Sequence, residues 1–188
     1  WTYNEYSFPT PSTQGAKIEA LSGDGKIASG WVTSENGGRM PIIWTSPTDY
    51  TIIGQDEYEF PDGVASNISE NGKYVSLSIN GKAAIYFVED ETYKYVEGHS
   101  EANTTTITAV TNNGMAIGYS DFGNPIIGNW RLGFVYSDKL GFMDFGDFIN
   151  TYASDVTIPE HFDFSSDARV LTVPMDISKD GKVITGWQ

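Results

Sequence analysis

Ala20-Leu21-Ser22-Gly23-Asp24-Gly25-Lys26-Ile27-Ala28-Ser29-Gly30-Trp31 decides the fold, because the chain says nearly the same thing three more times. It returns as Ser66-Asn67-Ile68-Ser69-Glu70-Asn71-Gly72-Lys73-Tyr74-Val75-Ser76, and as Thr108-Ala109-Val110-Thr111-Asn112-Asn113-Gly114-Met115-Ala116-Ile117-Gly118-Tyr119. The fourth copy is Met175-Asp176-Ile177-Ser178-Lys179-Asp180-Gly181-Lys182-Val183-Ile184-Thr185-Gly186-Trp187. Each reads apolar strand, Ser or Thr, any residue, Asp or Asn, Gly, second apolar strand. Self-similarity at a fixed period marks an array of supersecondary units.

The Asp-Gly or Asn-Gly pair supplies the left-handed backbone of a tight hairpin, since glycine meets no Cβ clash at positive φ. The Ser or Thr two residues earlier can hydrogen-bond the turn's own backbone. The competing reading is an acidic calcium loop using Asp24, Asn71, Asn113 and Asp180. Calcium takes about six to eight oxygens, and each turn offers about two, so the hairpin reading is preferred.

A second register runs alongside. Trp44 and Tyr50, Phe87 and Tyr93, and Tyr136 and Phe142 are three aromatic pairs at equal spacing, each coming after one of the first three glycine turns. The spacing predicts strands at about 17–21, 26–33, 40–45 and 50–54 in the first copy. The second gives about 64–68, 73–79, 82–88 and 93–97, with Asn80-Gly81 as its middle hairpin, and the third about 106–110, 115–120, 131–137 and 142–146. Four short antiparallel strands per roughly 40 residues is the pattern of a β-propeller blade. The expected architecture is therefore all-β: blades at 17–63, 64–105 and 106–146, an insertion at 147–169, and a partial blade at 170–188. Leu21, Ile68, Val110 and Ile177 belong on innermost strands, and Trp44, Phe87 and Tyr136 between neighbouring blades.

Residues 1–16 read as the end of a preceding blade and a linker, since Trp1-Thr2 with Tyr6-Ser7-Phe8 parallels Trp44-Thr45 with Tyr50-Thr51-Ile52. The chain opens without Met and stops after the second strand of the fourth copy, so an incomplete ring is expected. Further blades, in this chain or in a partner, would complete it and cover Val183, Ile184 and Trp187. Within the insertion, Phe148, Ile149 and Tyr152 suit a short helix. Pro159 interrupts the remainder of the insertion, and Phe162, Phe164 and Leu171 are expected to dock it back as a structural cap.

The 188 residues carry 39% hydrophobic and 14% aromatic content, which is globular composition. There is no cysteine, so disulfides and thiolate metal sites are excluded. A net charge of −14 repels phosphate backbones and disfavours nucleic acid as a partner. No apolar run is long enough to span a bilayer.

The run Gly133-Phe134-Val135-Tyr136-Ser137, then Leu140-Gly141-Phe142-Met143-Asp144-Phe145-Gly146, then the fourth hairpin, resembles the HAF-type extracellular repeat. That family joins an aromatic "AF-W" strand, a "G-M-x-x-L-G" strand and an "A-I-S-x-D-G-x-V-V-G" hairpin. The resemblance covers residues 17–187 and departs from the pattern at Leu77, where Gly is usual, and in a third hairpin one residue shorter. It implies propeller-like blades in a bacterial secreted or surface protein. Any anchor, a lipid for example, would sit on a segment outside these residues. It brings no catalytic motif.

No nucleophile elbow, P-loop or dinucleotide fingerprint is present. His99 and His161 stand in loop-like contexts far apart in sequence and read as incidental, and Glu89-Asp90-Glu91 as a solvated turn. No cofactor and no metal site is expected. There remains ring and charge together in the long third-blade loop: Asp121, Phe122, Trp130 and Arg131, with Tyr58 as a less favoured neighbour. Rings flanked by carboxylates and amides offer a stacking face with fixed hydrogen bonds, which suits sugar or peptide. The plainer alternative is that Phe122 and Trp130 pack on their own hairpin.

The expected function is a non-catalytic binding or scaffold module with a protein or carbohydrate ligand. Two alternatives stand beside it: part of a propeller glycoside hydrolase or lyase, which would need two carboxylates facing across a scissile bond, or an accessory subunit of an envelope assembly.

Overall fold

The computed structural model describes residue 6 and residues 15–124, 128–152 and 173–187. Three four-stranded antiparallel sheets succeed one another along the chain, each in simple sequential order. The first comprises β1 (Ala16–Leu21), β2 (Ala28–Thr33), β3 (Arg39–Trp44) and β4 (Tyr50–Ile52). The second comprises β5 (Gly63–Ile68), β6 (Tyr74–Ile79), β7 (Lys82–Phe87) and β8 (Thr92–Tyr95). The third comprises β9 (Thr104–Val110), β10 (Ala116–Asn124), β11 (Gly128–Ser137) and β12 (Gly141–Asp144). Helix α1 (Phe145–Tyr152) comes next, and β13 (Val173–Ile177) pairs with β14 (Ile184–Trp187). The expected short helix starts at Phe145, two residues before the predicted stretch and directly from the end of β12. Pro159, His161, Phe162, Phe164 and Leu171 lie outside the described residues, as does Trp1.

Each repeated motif is the hairpin between the first two strands of its sheet, and one device closes all four. The hydroxyl of Ser22, Ser69, Thr111 or Ser178 donates to the side-chain oxygen of Asp24, Asn71, Asn113 or Asp180. The same hydroxyl oxygen accepts the amide of Ile27 (3.0 Å), Tyr74 (3.0 Å), Met115 (3.0 Å) or Val183 (2.9 Å) across the turn. Glycines 25, 72, 114 and 181 all have φ between 69° and 78°. Asn80 and Gly81 (φ 49° and 77°) form the two-residue middle hairpin of the second sheet.

The position that reads as "any residue" in the motif turns out to join the turns to one another. Gly23 N–H donates to the Glu70 carbonyl (2.7 Å). Asn71 donates its amide to Asn112 Oδ1 (2.8 Å) and its side-chain NH₂ to the Asn112 carbonyl (2.9 Å). Asn112 N–H in turn reaches the Lys179 carbonyl (3.3 Å), and Lys179 Nζ returns to Glu70 at 3.2 Å. A Cβ at Gly23 would lie 2.4 Å from Glu70 Cγ and 2.9 Å from its carbonyl oxygen, so the first turn can make this contact only without a side chain. The turn glycines pack the same way. A Cβ at Gly72 would meet Ile27, one at Gly114 would meet Tyr74, and one at Gly181 would meet Met115, each within 3 Å.

The strands behind these turns are also in contact: β1 lies against β5, β5 against β9, and β9 against β13. Leu21, Ile68, Val110 and Ile177 end these four first strands, and Leu21 is exposed. Every first strand carries a bulge at one equivalent place, leaving Glu19, Ser66, Thr108 or Met175 without a partner in the register. Opposite three of the bulges stands Gly30, Gly118 or Gly186, whose added Cβ would fall about 2 Å from a first-strand carbonyl. In the second sheet the equivalent residue is Leu77, which is buried in the core.

Alternation along each strand sends successive residues to opposite faces, and both faces of each four-stranded sheet are packed. Ile43 and Ile53 from the first sheet meet Val75, Leu77, Ile79 and Tyr86 from the second. Ala83, Ile85 and Val96 on the second sheet's other face meet Ile107, Ala116 and Phe134 of the third. Ile117 and Val135 then meet Phe145 of α1 and Ile177 of β13. The outer face of the first sheet buries Trp44, whose ring meets Tyr6 edge-on at 6.0 Å.

The register corrects the aromatic alignment. Tyr86, not Phe87, is the counterpart of Trp44 and Tyr136, because Tyr86 pairs with Tyr93 as Trp44 pairs with Tyr50 and Tyr136 with Phe142. These three rings face the sheet or segment that precedes them in the chain. Phe87 points the other way, toward the third sheet.

The turn glycines should differ in their tolerance of a side chain. Gly25→Ala meets open space and should cost only the left-handed backbone penalty, about 1–2 kcal/mol. Gly72→Ala and Gly114→Ala add overpacking against Ile27 and Tyr74 and should cost about 1–3 kcal/mol more, read from urea unfolding. Separately, the Ser22 hydroxyl first, then the Lys26 amide and ammonium, hold the Asp24 carboxyl down at about 2. Because the folded value lies below the ordinary one of about 3.9, this contribution to stability is complete above that value and disappears as pH falls through about 2. A ¹³C carboxyl titration should show the low midpoint, and Ser22→Ala should raise it.

Candidate functional site

The segment expected to be a long third-blade loop is instead a continuation of the sheet. Strands β10 and β11 stay paired from Ala116↔Tyr136 out to Asn124↔Gly128, well past the last pairing of β9 at Thr104↔Asp121 and of β12 at Phe134↔Asp144. The physical cause is cross-strand pairing. Asp121 stands opposite Arg131, and Phe122 opposite Trp130. Arg131 Nε donates to Asp121 Oδ2 at 3.1 Å, while its guanidinium lies 4.3 Å from the centre of the Tyr119 ring. The Phe122 and Trp130 rings stack in parallel, 4.0 Å apart with 6° between their planes.

All four favoured residues therefore come together, and they are engaged with one another. Phe122 is buried, and Trp130 and Arg131 are half-buried. The plainer packing alternative describes them. Tyr58 belongs to another place: its ring packs on the core shared by the first and second sheets, beside Tyr93 and Tyr95. There Tyr95 donates its hydroxyl to Glu57 Oε2 at 3.1 Å, and Tyr93 meets Tyr95 edge-on at 5.4 Å. Burial, then the hydrogen bonds to Tyr58, Tyr93 and Glu57, push the Tyr95 phenol far above its ordinary value, so it remains a donor.

Between these two clusters lies a cleft of about 400 Å³. Its lining comes from the start of β7, the end of β8, the connection beyond it, and the start of β9. Lys82, Tyr95, Glu97, His99, Asn103 and Thr105 supply the polar groups, over buried Ala83 and Val96. The connection is pinned at both ends: Val96 N–H donates to the Ala83 carbonyl (2.9 Å), and Asn103 N–H to the Asp121 carbonyl (2.8 Å). Gly98 lets the backbone come close, since a Cβ there would sit 1.9 Å from Thr105 Oγ1.

His99, set aside on sequence grounds, is the link from cleft to ribbon. Its ring lies 5.6 Å from Phe122 and 5.0 Å edge-on from Phe142. Nε2 approaches Asp144 Oδ1 at 3.0 Å, in a direction unsuited to a hydrogen bond. The sequence signal for the cleft was Glu97-Gly98-His99 just past a strand end, a polar run with a glycine in a connection between repeats. Lys82 and Tyr95 carried no signal, because a strand pattern does not say which outward residues converge.

Comparison of the chain with protein-family models, curated proteins and solved structures returns no match.

The stacked pair makes a direct prediction. A double-mutant cycle over Phe122→Ala and Trp130→Ala should show a coupling of about 0.5–1.5 kcal/mol in unfolding free energy, the range for aromatic pairs beyond their area burial. Strict additivity would mean that the stacking contributes nothing.

Proposed function

We propose that the chain is a run of β-propeller blades of the HAF-type repeat kind, serving as a non-catalytic binding or scaffold module of a bacterial secreted or cell-surface protein. The observation that carries the reading is the relay of hydrogen bonds from turn to turn through Gly23, Glu70, Asn71, Asn112 and Lys179. Blades around a common axis bring their first strands and the adjoining turns together in this way. The face-to-face packing of successive sheets supports it too. Among the described residues no helix is long and apolar enough to cross a membrane. The binding half of the proposal rests on the cleft, where groups from two repeats converge on one space, as they do at binding sites.

The glycosidase alternative needs one carboxyl raised to serve as an acid. Among the described residues, Glu19, Asp24 and Asp180 are shifted the opposite way, lowered by hydrogen bonds and nearby ammonium groups. The deciding experiment is a screen of the purified chain against glycan and peptide arrays, with product analysis of the eluate. Retention of a ligand that is recovered unchanged is the expected result. Shortened oligosaccharides appearing in the eluate would favour the enzyme reading instead.

A further inference from the structure

We infer that the cleft between the second and third sheets binds a short neutral saccharide. This deepens the binding-module reading and rests on it.

The volume of about 400 Å³ falls toward the lower end of the range for small-ligand sites, roughly 300–1,000 Å³. A sugar presents two surfaces: a C–H face that packs on a ring, and hydroxyls that seek fixed donors and acceptors at its edge. The cleft offers both. Tyr95 is half-buried and held by its bond to Glu57, so its ring stands in a set orientation. His99 adds a second ring, wedged against Phe122 and Phe142.

The edge groups are of mixed type. Glu97 supplies a carboxylate, Asn103 an amide, Thr105 a hydroxyl and Lys82 an ammonium. Glu97 and Lys82 are in no ion pair among the described residues. Lys82 lies with Nζ 5.2 Å from the centre of the Tyr95 ring, on an exposed side chain that can swing aside. One free charge of each sign gives the cleft no net preference for an anion or a cation. Acceptors and donors spread around a ring suit a neutral polyhydroxylated ligand.

The surrounding structure holds the rings and the backbone of the cleft in place, and leaves Lys82 and Glu97 exposed at its edge. Tyr95 ends β8, Thr105 lies in β9, and the intervening connection is tied by the Ala102 amide to the His99 carbonyl at 3.0 Å. A site whose groups are already in place loses less on binding.

The test uses the ¹⁵N-labelled chain and a panel of neutral disaccharides (cellobiose, maltose, lactose and N,N′-diacetylchitobiose), read by amide NMR shifts. At least one sugar should move the amides of residues 81–83 and 95–105 together. Glu97→Ala and Lys82→Ala should each weaken that binding tenfold or more, the loss expected of a hydrogen bond to a charged group. Glu89→Ala, on the far end of the second sheet, should leave it unchanged. Absence of shifts with every sugar, or shifts confined to the β10–β11 ribbon, overturns the cleft. In the ribbon case the binding-module reading survives. Shifts at the cleft produced only by peptides also overturn it. Cleavage of a sugar bound in the cleft would confirm the site and overturn the non-catalytic reading.

Discussion

One turn hydroxyl per repeat, buried in the first three, holds this protein's organisation in place. In each turn it serves as donor to a side-chain oxygen and acceptor from a backbone amide, and Ser69 and Thr111 do so with no solvent exposure. A hydroxyl in that position cannot be exchanged for a methyl group without leaving buried polar atoms unpaired. Because the turn is locked, its outward backbone groups have fixed directions. They can then bond the neighbouring turn, and the sheets behind are carried into face-to-face contact. Local turn chemistry thus sets the long-range arrangement.

That arrangement also explains where binding chemistry collects. Within a sheet, neighbouring strands engage each other's side chains, as the Asp121–Arg131 ion pair and the Phe122–Trp130 stack show. Between sheets, the connection leaving one and entering the next cannot pair along its length. The stretch from Val96 to Asn103 is such a connection, and its side chains meet those at the tip of the β6–β7 hairpin. The cleft is a consequence of joining two repeats.

Much of the fold was legible in the sequence because it is written in turn residues. Gly25, Gly72, Gly114 and Gly181 mark backbone conformations that few other residues adopt, and Asn80-Gly81 marks another. The misreadings occur where identity is decided by a partner. Gly23 looks arbitrary until Glu70 is placed beside it. Phe87 and Tyr86 are adjacent aromatics, and only the pairing with Tyr93 says which of them matches Trp44. Residues 121–131 contain Gly, Asn and Pro and read as a loop, yet the stacked rings and the ion pair extend the ladder through most of it. For the candidate site, ring and charge pointed to residues that satisfy one another. The cleft drew on Lys82, Tyr95 and His99, which no linear pattern connects.

The aromatic register has a consequence for how such units assemble. Trp44, Tyr86 and Tyr136 each project toward the element before them in the chain, so the first and second sheets each give a ring from one face and receive one on the other. The joint between sheets is therefore heterologous: its two halves are different surfaces and fit only head to tail. Polarity of this kind forbids a unit from being inserted back to front, and gives any run of such units two unlike ends. Whether those two ends meet depends on the rotation accumulated per step, which is what separates a closed cycle from an open filament.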